Sequence, residues 1–237
     1  INFYDDNFTC DRARVEKFAA LMSDRPLGMT FNCAVRSELI DSELLRHMKQ
    51  AGCWMMSLGI ESGDASLLAQ HRQNTDLDKL AGKIRLIKSA GLRTKGLLMI
   101  GLPGETEASV KRSMDYVFSL PIDDFNLAKF TPFPGSPIYS RIRELGEFDE
   151  DWEKMDCMHF VFIAKGMTAA RLEELFRLFY STHFSRPKVL WGYVAMLWRS
   201  PDSWLRFLRN LPDFIRFTRT TTRIMDVPTA DPARTGV

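Results

Sequence analysis

The sequence predicts an α/β protein in which a parallel sheet or barrel is followed by a mostly helical region. Two observations predict this class. Short, almost continuously apolar stretches alternate with amphipathic helices up to Phe130, as buried parallel strands joined by helical crossovers do. The two-residue turns typical of hairpins do not separate consecutive strands. The composition, with 45% hydrophobic and 26% charged residues, is ordinary for a globular protein.

Two strand–helix units come first. Residues 1–4 and 29–35 have the apolar pattern of strands, and amphipathic helices follow them at residues 11–21 and 41–51. Asp41 is predicted to cap the second of these helices, because a side-chain oxygen at that position accepts from free backbone N–H groups. The apolar side of the first helix is formed by Val15, Phe18, Ala19 and Met22.

Three further units follow. The helix predicted at residues 77–90 is expected to stop at Gly91. The strand that follows it, residues 92–100, is nearly continuously apolar. Five units in a row favour a parallel sheet or barrel over an antiparallel one. The predicted strands are residues 54–60, 92–100 and 125–130, and the predicted helices are residues 67–70, 77–90 and 105–119.

The pattern changes near Arg143, where an acidic and polar stretch replaces the alternation of strands and helices. After Met167 the chain is predicted to be helical, and its last residues are polar and contain proline, which predicts disorder. We therefore expect a domain over residues 1–145, a helical region over residues 146–225 and a disordered tail over residues 226–237.

The net charge and the lengths of the apolar runs argue against a nucleic-acid-binding protein and a membrane-spanning protein, respectively. With 32 basic and 30 acidic residues the formal net charge is +2, which gives no support for nucleic acid as a partner. No apolar run reaches the ~18 residues of a membrane span. The balance hides an asymmetry, because residues 165–223 hold eleven basic and only four acidic side chains among many aromatic ones.

The cysteines and histidines do not form a metal-binding pattern. No two cysteines have the close spacing of a zinc site, and the four histidines lie far apart. Scattered cysteines in a chain of this length indicate reduced thiols and a cytoplasmic location. The four cysteines are Cys10, Cys33, Cys53 and Cys157.

Polar or tight-turn residues follow every predicted strand. Because ligands of parallel α/β folds bind at the carboxyl ends of the strands, these residues are candidates for a binding site. The candidates are Asp5, Asp6 and Asn7 after the first strand, Arg36 after the second, Glu61 and Ser62 after the third, residues 101–105 after the fourth and residues 131–135 after the fifth.

Each candidate group also has an ordinary structural explanation. Asp5, Asp6 and Asn7 fit a helix-capping turn, Arg36 fits a surface ion pair, and Gly-Leu-Pro-Gly-Glu fits a turn into a helix. Their agreement on one edge favours a zwitterionic ligand instead. Carboxylates accept from an ammonium group, Arg36 can bind a carboxylate in a bidentate fork, and Glu61 can hold a pair of ribose hydroxyls. The Gly/Pro turns let a flat base lie against the backbone.

Other ligand-binding and catalytic motifs are absent from the sequence. There is no G-x-x-x-x-G-K-[ST] phosphate loop, since GLPGET lacks the lysine. Neither the dinucleotide motif G-x-G-x-x-G nor the nucleophile motif G-x-S-x-G occurs.

Five segments together resemble the radical S-adenosylmethionine (SAM) enzymes. They are F-x-D-D-N-F, ELLRHMKQAGC, GIESG, MIGLPGET and TPFPGSPIY, and they lie between Ile1 and Tyr139. The chain looks most similar to the large subgroup whose members often carry an N-terminal cobalamin-binding domain. Anaerobic porphyrin-ring cyclases belong to that subgroup.

The resemblance implies a fold and a set of contacts. The family fold is a partial (βα)6 barrel of TIM type, of which five units are present here, so the first would be missing. Asp5, Asp6 and Asn7 would contact the SAM amino group, and Arg36 would lie near the SAM carboxylate. The other implied contacts are Glu61 and Ser62 with the ribose, Ile100, Gly101 and Leu102 with the adenine, and Pro132 and Phe133 at the next strand end.

The family's cluster motif, C-x-x-x-C-x-x-C, is absent, and none of the four cysteines can replace it on spacing. Because the strand pattern begins directly at Ile1, we expect the chain to be a fragment whose [4Fe-4S] ligands lie upstream. A cobalamin-binding domain would also lie upstream and would contact this fragment. The implied function is radical chemistry begun by SAM cleavage, on an unidentified small-molecule substrate.

Two other functions remain open on the sequence. The chain could be a SAM-like ligand-binding or scaffold module without a cluster. It could instead be an ordinary TIM-like barrel enzyme acting on phosphorylated metabolites, which predicts a glycine turn before a helix near the last strands. The proline-rich TPFPGSP fits that pattern poorly.

The basic, aromatic C-terminal helices have two interpretations. Their aromatic residues could pack over the barrel or against another domain, which we favour. Alternatively they form an interfacial helix in peripheral contact with a membrane, with arginines outside its apolar face, which would suit a hydrophobic substrate. The aromatic residues are Trp191, Trp198, Trp204, Phe207, Phe214 and Phe217, and the arginines are Arg199, Arg206, Arg209 and Arg216.

Overall fold

The structure is a computed structural model that describes residues 1–71, 75–197, 205 and 208–212. The chain divides into two compact units, Ile1–Phe176 and Arg177–Val237. Of the predicted C-terminal aromatic and arginine side chains, only Trp191 and Arg209 lie within the described residues. The domain boundaries and the membrane contact stay predictions.

A four-stranded parallel sheet forms the centre of the first unit. Its strands are β1 (Phe31–Val35), β2 (Cys53–Glu61), β3 (Arg93–Ile100) and β4 (Asp124–Lys129), and they pair in chain order. All three pairings are parallel, so the carboxyl ends of the strands lie along one edge. The register aligns Val35 with Leu58, Leu58 with Gly96 and Gly96 with Phe125. The predicted α/β class is confirmed.

Five helices connect or flank the strands. Local capping explains where several of them begin, since an aspartate or threonine side chain accepts a backbone N–H in the first turn. The predicted Asp41 cap is confirmed, because its carboxylate accepts from Leu44 N at 2.8 Å. The helices are α1 (Arg12–Asp24), α2 (Ser42–Gln50), α3 (Ala65–His71), α4 (Leu77–Ser89) and α5 (Glu107–Ser119).

The predicted first strand is only a single bridge. Phe3 N donates to the Asn32 carbonyl at 3.0 Å and Asn32 N donates to the Ile1 carbonyl at 3.1 Å, but only Asn2 bridges β1. The sheet therefore has four strands where five were predicted. The segment is fixed by its side chains, since the Phe3 ring packs against Phe31 with the ring centroids 5.4 Å apart.

A small antiparallel hairpin follows the sheet and was not predicted. Its strands are β5 (Gly146–Phe148) and β6 (Phe162–Ala164), and the short helix α6 (Ile142–Leu145) precedes them. Ile142, Phe162 and Ala164 form a buried apolar cluster of their own. The helices α7 (Ala169–Phe184) and α8 (Pro187–Leu197) come next, where the sequence predicts helices after Met167. The start of the helical region predicted over residues 146–225 instead contains β5 and β6. No helix of the described residues is long and apolar enough to cross a membrane.

A buried lysine joins the last strand of the sheet to the first half of α7. The Lys129 ammonium group forms an ion pair with Glu173, and it lies 4.5 Å from the Phe160 ring centroid and 4.9 Å from that of Phe176. Its side chain is 9% exposed. Burial of a cation is tolerated only where opposite charge and aromatic faces replace water.

We expect the two partners of this ion pair to respond differently to mutation. Glu173→Ala should lower the free energy of unfolding by about 3 kcal/mol, because it leaves a buried charge without its counterion. This is the low end of the usual range, since the Glu173 side chain is 38% exposed. Lys129→Met removes that charge and keeps an apolar stem, so it should stay within about 1 kcal/mol of wild type. Urea unfolding measures both, and a Met variant less stable than the Ala variant would contradict this account.

Candidate functional site

The turn after residues 1–3 lies against the carboxyl end of β1. Phe8 N donates to the Ala34 carbonyl at 2.9 Å, which ties this turn to the strand end. Asp5 and Asp6 are exposed, and the half-buried Asn7 accepts at its amide oxygen from Thr9 Oγ1 at 3.1 Å. The carboxylates of this turn are therefore open to water beside the sheet edge.

Arg36 follows β1 directly and is exposed. Its Nε atom lies 3.7 Å from Glu38 Oε2, and both side chains are 60% exposed. Such an exposed ion pair contributes little free energy, so a bound carboxylate could replace Glu38 at small cost.

Glu61 and Ser62 end β2 in different environments. Glu61 is half-buried, with its backbone in the left-handed region at φ 63°. Ser62 is fully buried, and its hydroxyl is hydrogen-bonded to Ser113 Oγ at 2.8 Å and accepts from Asp64 N at 3.1 Å. The Ser62 side chain thus serves the turn, while the predicted contact of both residues with a ribose stays a prediction.

A buried carboxylate shapes the turn after β3. Glu105 is 2% exposed, and its Oε2 atom accepts from Gly101 N and from Leu102 N, the latter at 3.3 Å. Burial raises the pKa of Glu105 to about 7; the two N–H donors oppose the rise and the charge of Asp64 adds to it. Ile100, Gly101 and Leu102 are all buried, so this carboxylate sets the backbone path of the predicted adenine-binding segment.

Helix α3 links the turns that follow β2 and β3. At its beginning, Asp64 accepts from Leu67 N at 3.0 Å. At its end, His71 Nε2 lies 2.6 Å from the Pro103 carbonyl oxygen, which requires the imidazole to donate from that nitrogen. The two turns are consequently held by one short helix.

The segment after β4 continues along the same edge. Phe130 N donates to the Ile100 carbonyl at 2.9 Å, which extends the pairing beyond the strand. Pro132 is buried, whereas Phe133 is 47% exposed. The strand register thus gathers Arg36, Glu61 and the segments after β3 and β4 on one edge, as the sequence predicted for parallel strands.

The cysteines do not provide a cluster site. Cys33 and Cys53 are buried on adjacent strands, Cys10 is exposed and Cys157 is half-buried. The pKa of Cys33 is raised, first by its neighbour Cys53 and further by burial and the Asp5 charge. No group of three metal-ligating side chains occurs in residues 1–71 and 75–197, so a [4Fe-4S] cluster, which needs gathered thiolates, does not fit the described residues.

The sequence matches the family model of the radical SAM superfamily over residues 1–117. This match covers the sheet from residue 1 through β3 and most of α5. Residues 1–117, just under half of the chain, therefore resemble the radical SAM superfamily. That superfamily uses SAM and a [4Fe-4S] cluster.

Characterised and uncharacterised relatives extend the match beyond the superfamily domain. An uncharacterized methyltransferase of Pyrococcus horikoshii is 26% identical over 80% of this chain and 42% of its own length. The bacteriochlorophyllide d C-12(1)-methyltransferase of Chlorobaculum tepidum is 23% identical over 93% of this chain and 47% of its own length. The chain therefore spans less than half the length of these two relatives.

Solved structures show the same fold. The radical SAM methyltransferase TsrM of Kitasatospora setae, with cobalamin and a [4Fe-4S] cluster bound, has a TM-score of 0.53 at 21% identity, covering 60% of this chain and 28% of its own. Coproporphyrinogen III oxidase of Escherichia coli, also a radical SAM enzyme, has a TM-score of 0.54 at 15% identity, covering 73% of this chain and 38% of its own.

Sequence reasoning missed the role of three residues that hold the turns of the candidate site. The sequence places Glu105 among the candidate residues 101–105, but it does not indicate that the Glu105 carboxylate is buried and accepts from the backbone of that turn. Arg112 and Ser113 on α5 contact the turn after β2 through Asp64, Ser62 and Gly63. Nothing in the helical pattern of α5 distinguishes these two side chains from ordinary helix residues.

Proposed function

We propose that this chain is the SAM-binding part of a radical SAM enzyme and that its sheet belongs to a partial (βα)6 barrel. The observation that carries the proposal is the set of chemically suited groups along one sheet edge, in a chain that resembles this superfamily. Exposed carboxylates, an exposed arginine and backbone turns match the ammonium, carboxylate and adenosine parts of SAM.

Each group on this edge has a binding role in the proposal. Asp5, Asp6 or Asn7 accepts from the amino group, and the Arg36 guanidinium binds the carboxylate. The Glu61 carboxylate accepts from the ribose hydroxyls. The adenine lies along the buried turn after β3, which Glu105 keeps in place, and is bordered by Ile100, Gly101, Leu102, Pro132 and Phe133.

We further propose that the cluster ligands are cysteines outside this sequence. The described cysteines do not gather into a ligand set, and this chain spans 42% and 47% of two relatives. Reductive cleavage of SAM is the chemistry that a cluster supplies when bound. This chain's own residues bind and orient SAM, and they exclude water where the turns are buried.

We infer methyl transfer as the reaction type, with cobalamin bound outside this sequence. The support is that relatives covering 80% and 93% of this chain are named methyltransferases. Ring cyclisation is the second candidate, because the anaerobic magnesium-protoporphyrin IX monomethyl ester cyclase of Cereibacter sphaeroides is 24% identical over 71% of this chain. Methylated product, measured against ring-closed product in the reconstituted full-length enzyme, separates the two.

SAM binding is the direct test of the proposed site. Arg36→Ala and Glu61→Ala should each lose on the order of 1.5–3 kcal/mol of SAM binding free energy, the usual size of a charge-assisted hydrogen bond. Equilibrium dialysis with labelled SAM measures the affinities, and circular dichroism checks folding. Arg141→Ala is the matched control, because Arg141 is 70% exposed and pairs only locally with Glu144. Unchanged SAM affinity in both variants would remove these residues from the site.

The cluster proposal has its own test. The 237-residue chain, reconstituted anaerobically with iron and sulfide, should bind no stoichiometric [4Fe-4S] cluster, because its cysteines are not gathered. Iron analysis and electron paramagnetic resonance after reduction measure this. About four irons per chain with a cluster signal would show that this sequence holds the ligands itself.

A further inference from the structure

The chain makes a tight, high-energy turn at Glu61. The Glu61 φ angle is 63°, and Ser62 N donates to the Ile60 carbonyl across it at 2.8 Å. A hydrogen bond over three residues with a positive central φ defines the rare form of γ-turn. The pairing register of β2 with β3 also shifts between Gly59 and Glu61, and β2 ends at Glu61, which still pairs with Leu98.

Glutamate is energetically unfavourable in this backbone conformation. Left-handed backbone brings Cβ against the following carbonyl, which is why glycine usually occupies such positions. Here glycines stand at positions 59 and 63, yet the left-handed residue between them carries a long charged side chain. Strained non-glycine residues persist where the surrounding structure holds them, and they concentrate at functional sites.

Helix α5, which follows strand β3, holds this turn in place. Ser113 Oγ lies 2.8 Å from Ser62 Oγ and accepts from Gly63 N at 3.0 Å. Arg112 donates through Nε to Asp64 Oδ2 at 2.6 Å, and the Asp64 side chain is 2% exposed. Three consecutive residues after Glu61 are thus fixed by two adjacent residues of one helix.

We propose that Ser113 and Arg112 are positioning residues, which hold Glu61 in its left-handed turn so that its carboxylate is presented to the SAM ribose. This inference rests on the proposed function for its ligand, although the strain itself does not. The two α5 residues act through Ser62, Gly63 and Asp64.

Melting temperatures test the strain without any ligand. At ordinary strand positions alanine is more stable than glycine, but at a left-handed position the order reverses. Glu61→Gly should therefore melt above Glu61→Ala by about 2–4 °C. In a Ser113→Ala background this advantage of glycine should shrink, because the turn can relax. An alanine variant that melts at or above the glycine variant in the wild-type background overturns the proposal.

SAM affinity tests the positioning. In the 237-residue chain, Ser113→Ala should weaken binding of labelled SAM about tenfold, the size of coupling within one hydrogen-bond network. The same change should have no effect in a Glu61→Ala background, which a merely structural role would not predict. Ser119→Ala, at the exposed end of α5, is the matched control.

The outcomes separate this inference from the proposed function. Wild-type chain that binds no SAM would refute the proposed function, while the melting order would still report on the strain. Wild-type binding with equal affinity in the Ser113→Ala variant would overturn the positioning role alone.

Discussion

Replacing Gly63 with alanine is expected to lower the free energy of unfolding by about 3 kcal/mol, at the upper end of the usual overpacking range. A Cβ atom at Gly63 would lie 2.7 Å from Tyr116 Cβ and 2.8 Å from Ser113 Cα. These atoms belong to or adjoin the α5 backbone, so the helix itself must move. Movement also breaks the hydrogen bond from Gly63 N to Ser113 Oγ. The melting temperature should fall by roughly 6–12 °C.

A second glycine provides a control, because its replacement by alanine should raise the free energy of unfolding instead of lowering it. Gly82 lies within α4, is exposed, and has no atom within 4 Å of an added Cβ. Gly82→Ala should therefore raise the free energy of unfolding by about 0.5–1 kcal/mol through helix propensity. Chemical unfolding of both variants measures the pair. A Gly63→Ala protein as stable as wild type would show that α5 does not approach this turn closely.

The buried carboxylate of Glu105 should make folding stability depend on pH between about 4.5 and 7. Its pKa is raised to about 7 in the folded protein from an ordinary value of 4.5, so the folded state holds its proton more tightly than the unfolded state. Its contribution is complete below pH 4.5 and is lost as pH rises through 7. The loss is on the order of 3 kcal/mol, since each unit of pKa difference corresponds to about 1.4 kcal/mol.

Glu105→Gln should remove this dependence. Urea unfolding at pH 5 and pH 8 measures the difference, and both proteins contain the same histidines, which therefore cancel. Asp41 and Asp64 affect stability in a different pH range, because their pKa values are lowered. The pKa of Asp41 is lowered first by its hydrogen bond with Arg12. Burial would raise the pKa of Asp64, but its hydrogen bonds outweigh that effect. Their contributions are lost only as the pH falls below about 4. Equal slopes in wild type and variant would rule out Glu105 as the titrating group.

The parallel sheet could be predicted because its signals are local. The strand predicted at residues 92–100 is observed at Arg93–Ile100, and the helix predicted at residues 41–51 is observed at Ser42–Gln50 with its Asp41 cap. Apolar runs and capping residues act within a few positions of the chain. The β5–β6 hairpin could not be predicted in this way, because its strands have three residues each and depend on Phe162 packing against Ile142.

The residues at the strand ends of the candidate site could be predicted, but the residues that hold them in place could not. Strand ends follow from the strands, so Arg36 and Glu61 could be placed on one edge from the sequence. The residues that hold the edge could not, since Gly63 and Ser113 meet across a separation of 50 residues. Burial of Glu105 likewise depends on how α5 follows β3, which no short motif specifies.

Helix α5 and the residues just before it contact two neighbouring turns at once, which has an evolutionary consequence. Glu105 holds the turn after β3, and Ser113 holds the turn after β2. A lineage that replaces Ser113 with a residue lacking a hydroxyl loses the hydrogen bond to Ser62, and a matching change at residue 62 removes the unpaired hydroxyl. Related proteins should therefore show paired substitutions at positions 62 and 113 and at positions 64 and 112, whereas the exposed face of the same helix should drift one residue at a time.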